Sequence, residues 1–149
     1  IDKVKGQKGV LSVEKKLFVE TNNGTNRQIR PVTPEQPLRI GDKVIVRLTI
    51  RTDREMNYVF LKDLRAGCFE PADQLSGPES RDGIWYYRSP KDVSENFFIN
   101  RLPEGTFVLE YPVYVSRSGE YAGGISTIQC MYAPEFVSHT AGESLRIMP

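Results

Sequence analysis

The sequence predicts an all-β fold, an antiparallel β-sandwich with about eight short strands in its 149 residues. Apolar and polar residues alternate in several segments, which is the period of a half-buried strand. Glycine, asparagine and proline interrupt these segments at short intervals, as turns between strands require. No stretch of helical length carries an apolar stripe at the i, i+3, i+4, i+7 spacing.

Two segments show the alternation most clearly, Asp42–Thr52 and Thr106–Val115, because every second residue in them is apolar. Pro112 lies on the opposite face of the second segment and has no N–H to donate. It therefore predicts an edge position or a bulge in that strand. In chain order, the weaker strand predictions are Val10–Glu20, Tyr58–Asp63, Ile84–Arg88, Asn96–Leu102, Gly124–Met131 and Ser144–Ile147.

The domain prediction divides the chain at residue 38. Pro31, Pro34 and Pro37 exclude a central strand over Val32–Leu38, which reads as a linker or an edge crossover. Residues 1–37 are expected to form an N-terminal strand and this proline-rich crossover, either within the same domain or at the end of a preceding one. Residues 38–149 are expected to form the main sandwich.

Composition excludes several classes of partner. Twenty basic and nineteen acidic residues leave a formal net charge of +1, and no basic tract is present, so nucleic acid is not expected to bind. No apolar run approaches the roughly 20 residues that span a bilayer. The first residues, Ile1–Lys5, do not resemble an export signal. A C-terminal piece of a larger secreted protein would lack one too, so this absence does not assign a compartment.

The residues that could support catalysis do not form a recognisable constellation. His139, the single histidine, follows Ser138, but a catalytic triad depends on tertiary placement that this tetrapeptide does not indicate. Cys68 with His139 would need an exposed thiolate, whereas a buried thiol or half of a disulfide is the simpler interpretation. Two cysteines and one histidine fall short of a four-ligand zinc site. We predict no catalytic, cofactor-binding or metal site, and no enzyme activity.

The densest aromatic cluster is Trp85, Tyr86 and Tyr87. Neighbouring residues of a strand point to opposite faces, so either Tyr86 or the other two side chains face the core. An ordinary aromatic core is the favoured interpretation. An exposed cluster would instead suit a freestanding carbohydrate-binding or adhesin-type β-sandwich module, which is the alternative function.

Several short motifs together resemble the C-terminal domain, of the MG10 type, of bacterial α2-macroglobulin-like proteins. Individually they are weak, but their order and spacing are fairly specific, and they extend from about Leu38 to the end of the chain. The motifs are Leu38–Val44, Asp63–Pro71, Tyr86-Tyr87, Asn96–Phe98, Arg101–Thr106, Tyr111 and Met131–Glu135.

The resemblance implies a macroglobulin-like sandwich with the two-sheet architecture of immunoglobulin-like domains. It further implies a non-catalytic domain of an exported, periplasmic or cell-envelope protein that traps proteases. The expected partners are the other macroglobulin domains and a helical thioester-type domain of the parent, and the proteases that the whole protein traps. Any membrane attachment would come from an anchor elsewhere in the parent. The candidates for inter-domain contact are Asp63, Phe69, Glu70, Pro71, Met131, Tyr132, Pro134 and Glu135.

The two cysteines depart from the usual pattern of this family. Arg65–Phe69 replaces the more usual Pro-Ala-Gly-Phe loop, and together with Cys130 it looks like a Bacteroidetes-type variant. The thioester signature Cys-x-Glu-Gln is absent, so Cys68 is not read as a thioester cysteine. In an exported domain, a Cys68–Cys130 disulfide is plausible and is the expectation, nominally contributing about 4–5 kcal/mol.

Overall fold

The computed structural model describes residues 9–24, 26–72 and 76–149, and these residues form strands, turns and loops without a helix. The all-β prediction is confirmed. No described segment forms a helix long and apolar enough to cross a membrane. The strands are β1 (Leu11–Asn23), β2 (Asn26–Pro31), β3 (Leu38–Arg39), β4 (Lys43–Thr52), β5 (Met56–Leu64), β6 (Phe69–Pro71), β7 (Gly77–Arg81), β8 (Ile84–Pro90), β9 (Ser94–Leu102), β10 (Gly105–Val115), β11 (Gly119–Ala122), β12 (Ser126–Cys130), β13 (Ala133–His139) and β14 (Ser144–Met148).

The first large sheet has five strands in the order β2-β1-β4-β10-β6. Its centre is formed by β4 and β10, the two strands whose alternation is clearest in the sequence. Each is antiparallel to its neighbours, and β1 pairs with β4 from Leu11 to Glu20. The N-terminal strand is therefore hydrogen-bonded into the same sheet as the strong strands that follow it.

Pro112 pairs with β4 but lies just beyond the part of β10 that pairs with β6. Its pairing with Ile45 continues the β4 register without a shift, so no bulge forms there. The carbonyl of Pro112 accepts a hydrogen bond from Ala72 N at 3.3 Å, just beyond the last residue of β6. Because the N and C=O of one strand residue point to the same side, the proline nitrogen also faces this end of β6, where no ladder hydrogen bond is lost.

The second large sheet has six strands in the order β13-β12-β5-β9-β8-β7. A smaller sheet, β11-β14-β3, adds a third unit that the two-sheet expectation did not include. In it β3 pairs with β14 in parallel, so the proline-rich segment after β2 ends in a short edge strand. Only one isolated bridge, Thr33 to Gln36, forms within that segment.

The inner faces of the two large sheets share one hydrophobic core. It combines residues of β4 and β10 with Leu61, Phe97, Ile99 and Ile128 of the six-stranded sheet, all fully or almost fully buried. The rings of Phe97 and Tyr111 come from opposite sheets and lie 6.2 Å apart between centroids. The core also surrounds buried polar residues, among them Asp63 and Glu95.

Candidate functional site

Asp63, the first contact candidate, is fully buried at the end of β5. Its carboxylate accepts hydrogen bonds from Lys15 Nζ at 2.7 Å, from Ser126 Oγ at 2.6 Å and from the hydroxyl of Tyr111. Lys15 and Tyr111 belong to the five-stranded sheet, so the carboxylate ties the two sheets together. Since its side chain is enclosed by these donors, Asp63 is not available for an inter-domain contact, and the expectation for this residue is corrected.

A second buried ionic group lies beside the first. Glu95 Oε2 accepts from Arg88 Nε at 2.9 Å, and Glu95 Oε1 lies 3.5 Å from Arg65 Nη1. Arg65 also donates to the carbonyl of Ser94 at 3.0 Å and to that of Lys91. These bonds fasten the turn between β8 and β9 to the loop that follows β5.

Tyr111 joins the two ionic groups. Burial first, and then the neighbouring carboxylate of Asp63, raise the pKa of its hydroxyl well above the usual value, and the hydroxyl therefore stays protonated and acts as a donor. Its ring also lies 5.9 Å from the Arg88 guanidinium carbon. Buried charges that are paired and hydrogen-bonded in this way order the surrounding chain, and none of them is presented to solvent for chemistry.

The rest of the Asp63–Pro71 loop is also largely internal. Phe69 packs in the core and pairs with Val115, whereas Glu70 is exposed and Pro71 is half-buried. The carbonyl of Cys68 accepts from Ser116 N at 2.8 Å, which holds the loop against the end of β10. Of the four candidates in this loop, only Glu70 and the edge of Pro71 are accessible to a partner.

The second candidate loop is the tip of the β12–β13 hairpin. Cys130 pairs with Ala133, which leaves Met131 and Tyr132 as a two-residue tip with exposures of 53% and 79%. Pro134 and Glu135 follow on β13 and are exposed. All four candidates of this loop are therefore accessible.

The tip is supported by Tyr58. Its ring lies 4.8 Å from that of Tyr132, tilted by 54°, and its carbonyl accepts from Met131 N at 2.8 Å. Tyr58 has a φ of 59°, a left-handed conformation that is uncommon and strained for a bulky side chain. The backbone thus adopts a strained conformation in a place where it presents two tyrosine rings side by side to solvent. We define Tyr58, Met131 and Tyr132 as the hairpin tip.

The aromatic cluster is not an ordinary core. Tyr86 is buried, but Trp85 and Tyr87 are exposed by 71% and 48%. Between the two orientations that the sequence left open, the structure has the one that places two of the three rings in solvent. The favoured core interpretation was wrong for Trp85 and Tyr87 because nothing in the cluster itself indicates which face of β8 the opposite sheet covers.

Cys68 and Cys130 are both free and buried, so the expected disulfide is not formed in the structure. Cys130 pairs with Val59 near the start of β5, whereas Cys68 follows the other end of that strand after Leu64. Five strand residues span about 16 Å, and a disulfide requires Cα atoms within about 7 Å. Burial raises the pKa of the Cys68 thiol, which makes it a poor nucleophile.

Among the described residues no group of three or more His, Cys, Asp and Glu side chains could hold a metal ion. His139 is exposed and its Nδ1 lies 3.2 Å from the carbonyl of Thr140. Ser138 is buried on the other face of β13, as strand alternation requires. The two side chains therefore do not form a nucleophile–base pair.

The geometry defines the class of protein: an all-β domain with buried ionic groups and an exposed aromatic hairpin tip. The sequence model described as the bacterial alpha-2-macroglobulin MG10 domain matches residues 11–135. The chain belongs to that family.

Solved structures agree with this assignment. The chain is similar to Salmonella alpha-2-macroglobulin reacted with methylamine, with a TM-score of 0.72, 21% identity, and coverage of 95% of this chain but 9% of that one. It is also similar to native alpha-2-macroglobulin from Escherichia coli, spanning domain MG7 to the C-terminus, with a TM-score of 0.71, 17% identity and coverage of 95% and 24%. Among curated proteins it resembles circularly permutated Ras protein 2 of Dictyostelium discoideum, 28% identical over 109 residues, which are 73% of this chain and 3% of that protein. The chain thus spans a small part of each relative's length.

Proposed function

We propose that this chain is a non-catalytic domain of an exported bacterial alpha-2-macroglobulin-like protein that traps proteases, and that it acts by packing against neighbouring domains. The family match over residues 11–135 carries the proposal. The small share of the solved relatives that the chain covers, from 9% to 24% in the two compared above, supports a parent of many domains. We propose that residues 1–37, of which the structure describes 9–24 and 26–37, belong to the same domain as 38–149, and that the parent is located in the periplasm or cell envelope.

The hairpin tip is our principal candidate for the inter-domain contact. Tyrosine and methionine are enriched in the buried centres of protein interfaces, and here they project from a two-residue turn. Tyr132 is exposed by 79%, so its ring contributes little to the stability of the domain on its own. The helical thioester-type domain that the family resemblance implies is the proposed recipient. Glu70, Pro71, Pro134 and Glu135 are the proposed secondary contacts.

The buried ionic groups have a supporting role in this proposal. They hold the end of β5, the loop after it and the β8–β9 turn in one arrangement, through contacts that reach from Lys15 to Glu95. A domain that transmits or resists a rearrangement of its neighbours has to remain rigid itself. Buried charge pairs are suited to specify a single arrangement of this kind, although they add little net stability.

A protease-trapping assay on the full-length protein tests the proposal. The Escherichia coli relative was solved in forms activated by trypsin and by porcine elastase. We therefore expect trypsin to cleave the full-length protein at a limited region, after which the trypsin still hydrolyses a small chromogenic peptide but no longer degrades a large protein substrate. Unchanged degradation of the large substrate would contradict trapping.

Substitution of two tyrosines, Tyr132 and Tyr114, distinguishes a docking role of the hairpin tip from a role in domain stability. Tyr132→Ala in the full-length protein should weaken the contact and make the protein more susceptible to proteolysis, while the unfolding of the domain changes little. Tyr114→Ala is the matched control, because Tyr114 is also exposed, by 45%, but lies on the five-stranded sheet. Lost domain stability without any change in susceptibility would favour a purely structural role for Tyr132.

A second candidate function is a freestanding carbohydrate-binding module, which the exposed rings of Trp85 and Tyr87 favour. A screen of polysaccharides and cell-wall glycans against the purified chain tests it. Binding that Trp85→Ala abolishes would support this candidate, and the absence of any binder would remove it.

A further inference from the structure

The outward side of the six-stranded sheet carries a row of mostly apolar residues, with Gln129 as its polar member. Directly paired residues cross all six strands in the order Pro78, Tyr87, Phe98, Phe60, Gln129 and Val137. Directly opposite residues of antiparallel strands share one face, and with adjacent strands about 4.8 Å apart the row extends for about 24 Å.

Several side chains of this row are exposed, and two of its rings stack on each other. Tyr87, Phe98 and Val137 are exposed by 48%, 46% and 43%. The rings of Phe60 and Phe98 stack at 4.8 Å with an angle of 22°. Trp85 lies two residues from Tyr87 on β8 and therefore on the same side, with an exposure of 71%. We define Trp85, Tyr87, Phe98, Phe60 and Val137 as the aromatic face.

The opposite outer surface of the molecule covers its apolar residues with charged side chains. On the five-stranded sheet, Glu20 lies between Lys43 at 3.1 Å and Arg27 at 2.8 Å, and Arg47 Nε donates to Glu110 Oε2 at 2.6 Å. An apolar row crosses this sheet too, but Ile45 in it is only 4% exposed, and the Arg47 guanidinium carbon lies 4.4 Å from the centroid of the Phe18 ring. The rings on the outward side of the six-stranded sheet are instead exposed to solvent.

An apolar outer face implies a covering layer. Antiparallel sheets that face water on one side alternate apolar and polar residues, whereas sheets covered on both sides are apolar on both. Trp, Tyr and Phe predominate in the aromatic face, and the exposed Lys62 and Glu135 flank it on β5 and β13. An aromatic centre with polar residues at its rim is the composition of a protein–protein interface. Contiguous exposed apolar patches of this kind mark interaction sites.

We propose that the aromatic face is a docking surface for an uncharged, apolar protein surface on a neighbouring domain of the same polypeptide. This inference rests on the proposed function, which supplies a parent with further domains. A tethered neighbour is present at a high effective concentration, about millimolar for a short linker, so even a modest apolar surface is kept covered.

The aromatic face and the hairpin tip are continuous, which favours one partner for both. Tyr58 is two residues from Phe60 on β5, and its ring lies 4.8 Å from Tyr132. From these exposed fractions, the aromatic face offers roughly 400 Å² of ring and aliphatic surface. With the hairpin tip the area rises to roughly 700 Å², close to the about 800 Å² per partner of a standard interface. Neither patch is large enough alone.

Hydroxyl-radical footprinting of the full-length protein tests the inference by comparing the oxidation rates of two tyrosines in the same molecule. Tyr87 and Tyr114 have nearly equal exposures, 48% and 45%. Tyr87 lies on the aromatic face, whereas Tyr114 lies on the five-stranded sheet. We expect oxidation of Tyr87 to be several-fold slower than that of Tyr114, with Trp85 protected as well. Equal oxidation of Tyr87 and Tyr114 would overturn the inference.

The same experiment separates the inference from the proposed function. A full-length protein that traps trypsin and protects Tyr132, but oxidises Tyr87 as fast as Tyr114, would keep the proposed function and remove the docking role of the aromatic face. Failure of trapping would refute the proposed function whatever the footprint shows. Protection of Tyr87 that grows with protein concentration would assign the face to a second copy, and protection only after addition of soluble cell-wall glycan would assign it to a sugar. Either result would overturn the inference.

Discussion

Removal of the Tyr111 hydroxyl tests the buried network that joins the two sheets. Tyr111 is 1% exposed and its hydroxyl donates to Asp63 Oδ2. In Tyr111→Phe the ring remains in place, while the carboxylate keeps Lys15 and Ser126 as donors. A hydrogen bond to a charged group contributes about 1.5–3 kcal/mol, so we expect the free energy of unfolding to fall by about 2 kcal/mol. For a chain of this size the midpoint temperature should fall by about 4–8 °C.

Urea unfolding at pH 7, followed by fluorescence of the single tryptophan and by circular dichroism, measures this change. Tyr114→Phe is the control, since it removes the same atom from an exposed ring on the same strand and should change stability by less than about 0.5 kcal/mol. Equal effects of the two substitutions would refute the account of Asp63 as the buried link between the sheets.

The pH dependence of the free energy of unfolding, compared between the wild-type protein and Tyr111→Phe, gives a second test. The pKa of Tyr111 is raised in the folded state, by burial first and then by Asp63, whereas in the unfolded chain it is about 10. Above pH 10 the unfolded state therefore loses the proton first, and the stability of the wild-type protein declines with a slope of up to about 1.4 kcal/mol per pH unit from this group. Tyr111→Phe lacks this group, so the stability difference between the two proteins should narrow as the pH rises from 9 to 11. A constant difference would contradict the raised pKa.

Three further changes have outcomes that the structure defines. In Gly124→Ala the new Cβ would overlap the carbonyl oxygen of Leu64. We therefore expect the free energy of unfolding, from thermal or urea unfolding, to fall by about 3 kcal/mol or more, and a stable, well-folded variant would contradict this packing. Tyr132→Ala in the isolated chain should change the free energy of unfolding by less than about 0.5 kcal/mol, and a larger loss would mean that the ring belongs to the core. Without reductant, Cys68 and Cys130 should not react with a thiol reagent in the native chain, and both should react in denaturant. Intact mass after alkylation measures this reactivity. A pair that stays unreactive in denaturant would indicate a disulfide.

The sequence predicted the strands that alternate and missed those that do not. The predicted strands 42–52 and 106–115 correspond to β4, Lys43–Thr52, and β10, Gly105–Val115. The missed strands include β2, whose side chains are almost all exposed, and β7, which is short and lies at a sheet edge. An edge strand with no layer over it has no reason to alternate, so periodicity cannot identify it.

The candidate contact residues were predictable only in part. Met131 and Tyr132 stand out in the sequence through the family motif, and the structure leaves both exposed. Asp63 belongs to a family motif too, but its donors Lys15 and Tyr111 are each 48 residues away, and such long-range burial leaves no local signal. The Bacteroidetes-type assignment of the cysteine variant stays a prediction.

The aromatic face was the least visible feature of the sequence. Its residues come from separate strands, and only the register between those strands places them in one row. The direction in which Trp85 and Tyr87 point depends on which side of β8 the five-stranded sheet covers. Neither the strand register nor the covered side of β8 can be predicted from the residues themselves.

The most direct test of membership in a larger protease-trapping protein is an immunoblot of fractionated source cells with an antibody raised against this domain. We predict a band many times larger than the 16.9 kDa of the chain, located in the envelope fraction. A band near 16.9 kDa would contradict the proposed parent and leave a freestanding module, for which the exposed rings of Trp85 and Tyr87 would direct the search toward glycans.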